Sequence, residues 1–360
     1  MSKIKVAFLG VGDVAQRDYL PELHRLGDRV ELVALCGQTE ERVRVVAQHY
    51  GVTVWYTDYH RMLRETDADA VVNLTPIQIH TETTLAALEA GKHVYTEKPV
   101  ATDVREAQLI QMEARRQDLV LVCAPCVMLF PQIQLARQLL AEGAIGEVYS
   151  ARGHGHGGVP PWHGYGSDPG QFFVEGGGPA RDMGVYPLHA LTGLLGPAQR
   201  VSAMSARAQQ SFTVPDGPAQ GKQVRIEVDD NWHMVLDLGE RRLASIAANN
   251  CVQSTRSPQL ELFGLGGTLA IDVLDVSAPL ELQRAGSGWE QIPVPRAGRA
   301  AGPDHHLGVE NLVHCIEQRT TPVLSVEHAI HVVEIIEQAA RSSVEGRVFD
   351  ITNTFEPAQS

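Results

Sequence analysis

A short apolar strand, Val6–Leu9, runs into Gly10-Val11-Gly12-Asp13-Val14-Ala15 and from there into an amphipathic stretch, Val14–Leu26. That succession narrows what the chain can fold into more than any other feature. It has the G-x-G-x-x-A form of a dinucleotide-binding turn between a strand and a helix. Gly10 permits the tight turn, Gly12 lets the backbone approach a pyrophosphate, and Ala15 is small enough for helix and strand to pack closely. The helix N-terminus offers free N–H groups and the positive end of a dipole to phosphates. A glycine turn without special function is the competing reading, and the strand–turn–helix setting favours the cofactor.

The alternation continues through about residue 125. Glu31–Leu35, Ala70–Leu74, His93–Thr96 and Val120–Cys123 read as strands, with helical segments at Glu40–His49, Thr81–Ala90 and Asp103–Gln117. Nearly continuous apolar strands alternating with helices predict a doubly wound parallel sheet, an α/β Rossmann domain over residues 1–125. Beyond it, Gln132–Leu140 reads as a helix. Then come longer alternating runs at Val201–Ala208, Gln223–Asp229, Trp232–Leu238, Arg242–Asn249, Gln259–Phe263, Thr268–Val273 and Leu280–Gln283. They predict an α+β domain on a large, mostly antiparallel sheet, closed by helices His306–Gln318 and Val326–Val344, over residues 126–360. The segment 285–304 is long enough to be mobile or to cover a cleft.

The end of the second strand bears on the cofactor. An acid there would hydrogen-bond a ribose 2′-hydroxyl and favour NAD. Gly37 holds that place and no carboxylate occurs before Glu40, while Gln38, Thr39 and Arg42 can donate to a 2′-phosphate. The expectation is NAD or NADP, tilted toward NADP. A net charge of −13 argues against nucleic acid and anionic lipid, although a helix dipole still accommodates one phosphorylated ligand. Five Cys in 360 residues fit a reducing compartment, and no signal peptide or membrane-spanning run is read, which predicts a cytoplasmic protein.

Further along, three ordered motifs carry a resemblance. The first is Asp69-Ala70-Val71-Val72-Asn73-Leu74-Thr75-Pro76, with His80 after it and then Thr96-Glu97-Lys98-Pro99. The second is Glu142-Gly143-Ala144-Ile145-Gly146-Glu147-Val148, and the third Glu175-Gly176-Gly177-Gly178 followed by Asp182-Met183-Gly184-Val185-Tyr186. Together with Ala340–Gly346 they make the chain resemble the Gfo/Idh/MocA oxidoreductases, glucose–fructose oxidoreductase and inositol dehydrogenase among them. The resemblance implies that Lys98 lies beside the nicotinamide. It also implies that Gly10, Gly12, Asp13, Val14, Gly37, Gln38, Thr75, Pro76, His80, Glu97 and Lys98 surround the cofactor. The open face of the second sheet is implied to mediate a homodimer or homotetramer.

Oxidising a secondary alcohol needs a hydride acceptor and a base for the hydroxyl proton. Family helices commonly carry Asp-x-x-x-His, an i, i+4 pair on one face. Here Asp182 matches, but Tyr186 stands where His is usual. Tyr186 is therefore read as acid/base, Lys98 as its electrostatic partner and Asp182 as the group orienting substrate or Lys98, against a core aromatic with a satisfied hydroxyl. His189, three residues on, either assists proton transfer or is packed and hydrogen-bonded. His154 and His156 project from one face of a strand and, with Trp162 and His163, read as a substrate wall, against plain loop or strand structure; Lys98, Asp182, Tyr186 and His189 complete the candidate substrate set. No nearby Cys or carboxylate completes a metal set.

Two tempting motifs read as structural. Cys123-Ala124-Pro125-Cys126 lacks the helix N-terminus a redox pair needs, and Gly264-Leu265-Gly266-Gly267-Thr268 reads as a hairpin turn. The expected function is hydride transfer between nicotinamide and a secondary alcohol or ketone of a sugar, inositol-like polyol or related cyclic substrate. A dihydrodiol-type dehydrogenase is one alternative, weakly disfavoured by 6% aromatic residues, and a non-catalytic cofactor-binding regulator is another.

Overall fold

The computed structural model describes residues 3–295 and 304–357. Six strands form the first sheet: β1 (Ile4–Leu9), β2 (Val30–Cys36), β3 (Trp55–Tyr56), β4 (Ala70–Asn73), β5 (His93–Thr96) and β6 (Leu121–Cys123). They lie in the order β3-β2-β1-β4-β5-β6 with every pair parallel. This is the doubly wound order, in which ligands bind beyond the strand C-termini at the switch between β1 and β4. The strands are apolar on both sides because both are covered. Val6 and Phe8 enter a core that takes in Val43, Val46 and Ala47 of α1 (Glu40–His49) and runs on into the second domain, while Ala7 and Leu9 face α2 (Tyr59–Glu65), α3 (His80–Glu89) and α4 (Val104–Arg116) through a second core.

Helical winding after the glycine turn is not α throughout. Ala15–Tyr19 forms a π turn and Leu20–Leu26 a 3-10 segment. Pro21 explains the change, since it lacks the N–H that an α-helical ladder requires.

The second sheet has nine strands. After α5 (Pro131–Ala141) come β7 (Val148–His156), α6 (Pro179–Asp182), α7 (Val185–Leu195), β8 (Arg200–Ala206), β9 (Ser211–Thr213) and β10 (Gln223–Arg225). There follow β11 (Asn231–Asp237), β12 (Leu243–Asn249), β13 (Leu260–Gly264), β14 (Gly267–Ile271), β15 (Leu280–Arg284) and β16 (Trp289–Ile292). The chain closes with α8 (His306–Gln318), α9 (Val326–Glu345) and β17 (Phe349–Asp350). The order is β16-β15-β14-β13-β7-β12-β11-β8-β17, antiparallel except for the β7–β12 pair. Alternation sets the faces: Met234 and Leu236 are buried, whereas His233 and Val235 look outward. Helix α9 lies on β8, where Ser342 Oγ accepts the Ala203 N–H at 2.9 Å, and its Ala329, Ile330 and Val333 return to the second core of the Rossmann half.

Departures from the expected elements are short ones. Strands β3, β9, β16 and β17 and helix α2 escape the sequence reading. Gln223–Asp229 contributes only β10, which pairs with β9 in a separate ladder instead of joining the large sheet. That ladder has its own small core of Phe173, Phe212, Val214, Val224 and Ile226. Within 285–304 the structure places β16, and residues 296–303 lie outside the described residues. Among the described residues no helix is long and apolar enough to cross a membrane.

Candidate functional site

Where β1 ends, Gly10 turns with φ +101°, and its N–H donates to the Cys36 carbonyl at 2.9 Å. A Cβ there would meet the Leu74 carbonyl oxygen at 2.5 Å, so only glycine fits between β1 and the β4 loop. At Gly12 a Cβ would stand in ordinary contact with Ser167 Oγ, at 3.8 Å. Asp13 and Val14 follow at the first helical turn. Gly37 is also obligatory, because a side chain would strike Val11 Cγ2 at 2.6 Å and Val43 Cβ at 3.2 Å. No acid fits there; Gln38 and Thr39 beside it are exposed.

The loop after β4 closes the other side. Asn73 Oδ1 accepts from Thr75 N (3.2 Å) and Thr75 Oγ1 (2.8 Å). Buried His80 staples Thr75-Pro76 to the loop after β5, its ring nitrogens lying 2.7 Å from the carbonyl oxygens of Thr75 and Pro99.

At the end of β5 the two domains meet. Lys98 Nζ donates to Asp182 Oδ1 and to the Asp182 carbonyl, each at 2.6 Å, and lies 5.1 Å from the centre of the Tyr186 ring. The side chains of Lys98 and Asp182 are 12% and 13% exposed, so water screens the pair poorly. Burial opposes the ammonium, but Asp182, Tyr186 and Glu97 outweigh it and hold Lys98 above its ordinary pKa. Tyr186 is pushed up as well, by burial first and by Glu97 and Asp182 behind it, with Lys98 opposing. The phenol is accordingly protonated at neutral pH.

Asp182 and Tyr186 do not share one continuous helix. The chain breaks at Met183-Gly184, where a Cβ on Gly184 would meet the Ala180 carbonyl at 2.7 Å and Ala248 Cβ at 2.9 Å. The break lets the α6–α7 junction lie flat on the sheet, and both side chains still reach Lys98.

Residues 4–124 match the model of an oxidoreductase family with an NAD-binding Rossmann fold, and residues 133–270 match the GFO/IDH/MocA C-terminal domain. The chain belongs to the GFO/IDH/MocA family. D-glucoside 3-dehydrogenase of Escherichia coli (strain K12) is 32% identical over 197 residues, 54% of this chain and 55% of that one. The dTDP-3,4-didehydro-2,6-dideoxy-alpha-D-glucose 3-reductase of Actinomadura kijaniata is 33% identical over 196 residues, 54% and 56% of the two chains. These alignments span about half the length of the curated relatives. Levoglucosan dehydrogenase, solved with NADH and levoglucosan, superposes with a TM-score of 0.84 over 97% of this chain and 100% of that one, at 19% identity, a likeness of fold.

Other candidate residues of this GFO/IDH/MocA chain are dispersed. Glu97 turns inward: it accepts from Tyr19 Oη and, at 2.8 Å, from the Lys98 N–H. Tyr19 Oη meets Tyr95 Oη at 2.7 Å, and Tyr95 Oη meets Cys126 Sγ at 3.1 Å. Burial would raise Glu97, but His305 and Lys98 hold it below its ordinary range. This buried network escaped the sequence reading, since no local pattern links Tyr19, Tyr95 and His305. It gives Cys126 a structural partner, and burial lifts its thiol to about 12.

His154 and His156 face away from Lys98. Their rings stack at 4.2 Å on the open side of β7, with His154 Nε2 3.1 Å from the Ser257 carbonyl. The opposite side of β7 carries Gly153 and Gly155, and a Cβ on Gly155 would press into the Met183 carbonyl. The α6–α7 junction therefore packs on the glycines, and the expected histidine wall is not assembled around Lys98. Trp162 is part of the small third core, 5.2 Å from Phe173 and 5.7 Å from Phe172, and exposed His163 pairs with Asp216 at 3.1 Å. His189 also leaves the cleft. Its Nδ1 donates to the Val185 carbonyl at 2.8 Å, its ring packs 4.7 Å from His328, and burial drops its pKa to about 4.

Proposed function

We propose that this chain is an NAD(P)-dependent oxidoreductase acting on a secondary alcohol or ketone of a sugar, inositol-like polyol or related cyclic substrate. The observation that carries the reading is the Lys98–Asp182 pair, joined at 2.6 Å across two domains with Tyr186 beside it. Position 3 of a glycoside, or of a nucleotide-linked deoxysugar, is the first candidate, supported by the activities named for the two relatives. The residues fit a dinucleotide: Gly10 makes the tight turn that ends β1, Gly37 has no room for a side chain, and Gly12 leaves the backbone bare at the helix N-terminus.

A bound nicotinamide accepts hydride from the alcohol carbon or supplies it to the ketone. The chain's residues manage the proton and the position. Tyr186 holds its proton because it is buried, which suits it to protonate the oxygen formed on reducing a ketone. In the oxidising direction the same oxygen must take the hydroxyl proton, and the Lys98 ammonium is the nearby charge that favours its anion. Asp182 holds that ammonium in place through two acceptors, its carboxylate and its carbonyl.

The preference between cofactors belongs to the same proposal. With no acid possible at Gly37 and with Gln38 and Thr39 exposed beside it, binding tilts toward NADP, although Arg42, the third donor expected there, spends its Nη2 on Gly166 and Ser167; a clear NAD preference in paired dissociation constants overturns the tilt. The exposed apolar side chains Met204, Val235 and Leu243 on the open face of the large sheet support a homodimer or homotetramer, which sedimentation would measure. The decisive test of function is a panel of glycosides, aldoses and polyols, with reduced cofactor followed by absorbance. Turnover of at least one cyclic polyol is expected. Tight cofactor binding without turnover of any member contradicts the enzyme reading.

A further inference from the structure

Between Gly157 and Gly178 the chain leaves the large sheet and joins the β9–β10 ladder in the third core. From that satellite the strap Tyr165–Ser167 reaches back across the cleft to the Rossmann half. Ser167 Oγ accepts the Asp13 N–H at 3.3 Å, and Arg42 Nη2 donates to the Gly166 carbonyl and to Ser167 Oγ, each at 3.1 Å. A Cβ on Gly166 would collide with the Asp13 carboxylate, so the strap lies directly on the glycine turn. The Asp13 amide is one of those a helix N-terminus presents to phosphate.

Tyr165 is fixed from behind. Its ring meets Trp162 and Phe172 edge-on, at 6.0 and 5.9 Å, and its carbonyl packs on Gly217, where a Cβ would stand 2.7 Å away. Its phenol lies within electrostatic reach of Asp13 and Arg17 in the glycine-turn helix and of Asp182 and Lys98, the two ends between which a nicotinamide ribose would stand.

We propose that this strap completes the dinucleotide site from the second domain: Ser167 at the pyrophosphate, Tyr165 at the nicotinamide ribose, and Arg42 latching the strap to the Rossmann half. The inference rests on the oxidoreductase reading above. Its physical content is that the nucleotide is held by both domains, so release requires the Arg42–Ser167 contact to open. Aromatic anchoring by Trp162 and Phe172 sets Tyr165 in place beforehand, which lowers the ordering cost on binding.

Dissociation of the reduced dinucleotide, followed by stopped-flow fluorescence on the full chain, tests this with Tyr165→Phe and Ser167→Ala. Each variant is expected to speed release by about tenfold, the effect of one lost hydrogen bond to ribose or phosphate. ADP, which lacks the nicotinamide riboside, separates the two contacts: Ser167→Ala weakens ADP binding, whereas Tyr165→Phe leaves it unchanged. Release rates within twofold of the parent in both variants overturn the strap, as does a raised substrate KM for Tyr165→Phe with unaltered cofactor release. If the parent protein binds no reduced dinucleotide, the oxidoreductase reading and the strap fall together. If it binds one and the variants release it at the parental rate, only the strap falls.

Discussion

The two faces of β7 carry opposite sequences and opposite tasks. One presents Arg152, His154 and His156 to the open side of the sheet; the other presents Ala151, Gly153 and Gly155 to the α6–α7 junction. The titratable face is the tempting one for chemistry, yet the face without side chains is the one that supports the site. Bringing Asp182 and Tyr186 within reach of Lys98 requires backbone to lie on backbone, and only glycine leaves that room. The titratable cluster is thus placed by residues that have no side chain to titrate.

The contrast can be broken by mutation. Tyr186→Phe removes the proton and keeps the ring, so turnover should fall by ~10²–10⁴ while cofactor affinity is unchanged. Gly155→Ala pushes a methyl into the Met183 carbonyl and should destabilise the fold by about 1–3 kcal/mol, with lower turnover, read together by thermal melting and kinetics. Because burial holds the Tyr186 phenol protonated, the oxidation rate should climb as pH rises above neutrality, and ketone reduction should stay flat over the same range. On the other face, His154→Ala or His156→Ala should leave kcat within about twofold, in line with ordinary surface substitutions. A tenfold loss in either histidine variant would reverse the contrast.

A further prediction concerns the packed histidines His189, His328 and His331, whose pKa values all lie below ordinary because burial disfavours the cation. The unfolded chain binds their protons near pH 6.5, whereas folded His189 binds its proton only near about 4. Stability should therefore fall as pH drops through that window, by up to roughly 1.4 kcal/mol per pH unit for each such group. His189→Gln should flatten the acid limb of a denaturation profile, and an unchanged limb would contradict the burial argument.

Much of the Rossmann half was legible because its signals are local. Strands β1, β2, β4, β5 and β6 show as apolar runs, and the Gly10–Ala15 turn has a form that its geometry requires. Lys98, Asp182 and Tyr186 were legible through motif resemblance, and the structure brings them together. The facing of β7 was not, because period-two alternation says that His154 and His156 share a side without saying which side the α6–α7 junction covers. The strap was hidden for a different reason. Its contacts to Asp13 and Arg42 span 154 and 125 residues, and Ser167 looks like any loop serine until the satellite core places it. Tyr19, Tyr95 and Glu97 form a network of the same non-local kind.

The central claim is that a proton-managing site assembled across the domains by the Lys98–Asp182 pair carries hydride chemistry. Single-turnover reduction of bound cofactor by a glycoside or polyol substrate, compared between the parent and Lys98→Met, tests it most directly. The account predicts bound cofactor in both proteins and a burst of reduction in the parent alone, the variant slowed by at least about a hundredfold. Equal bursts in the two proteins would contradict it.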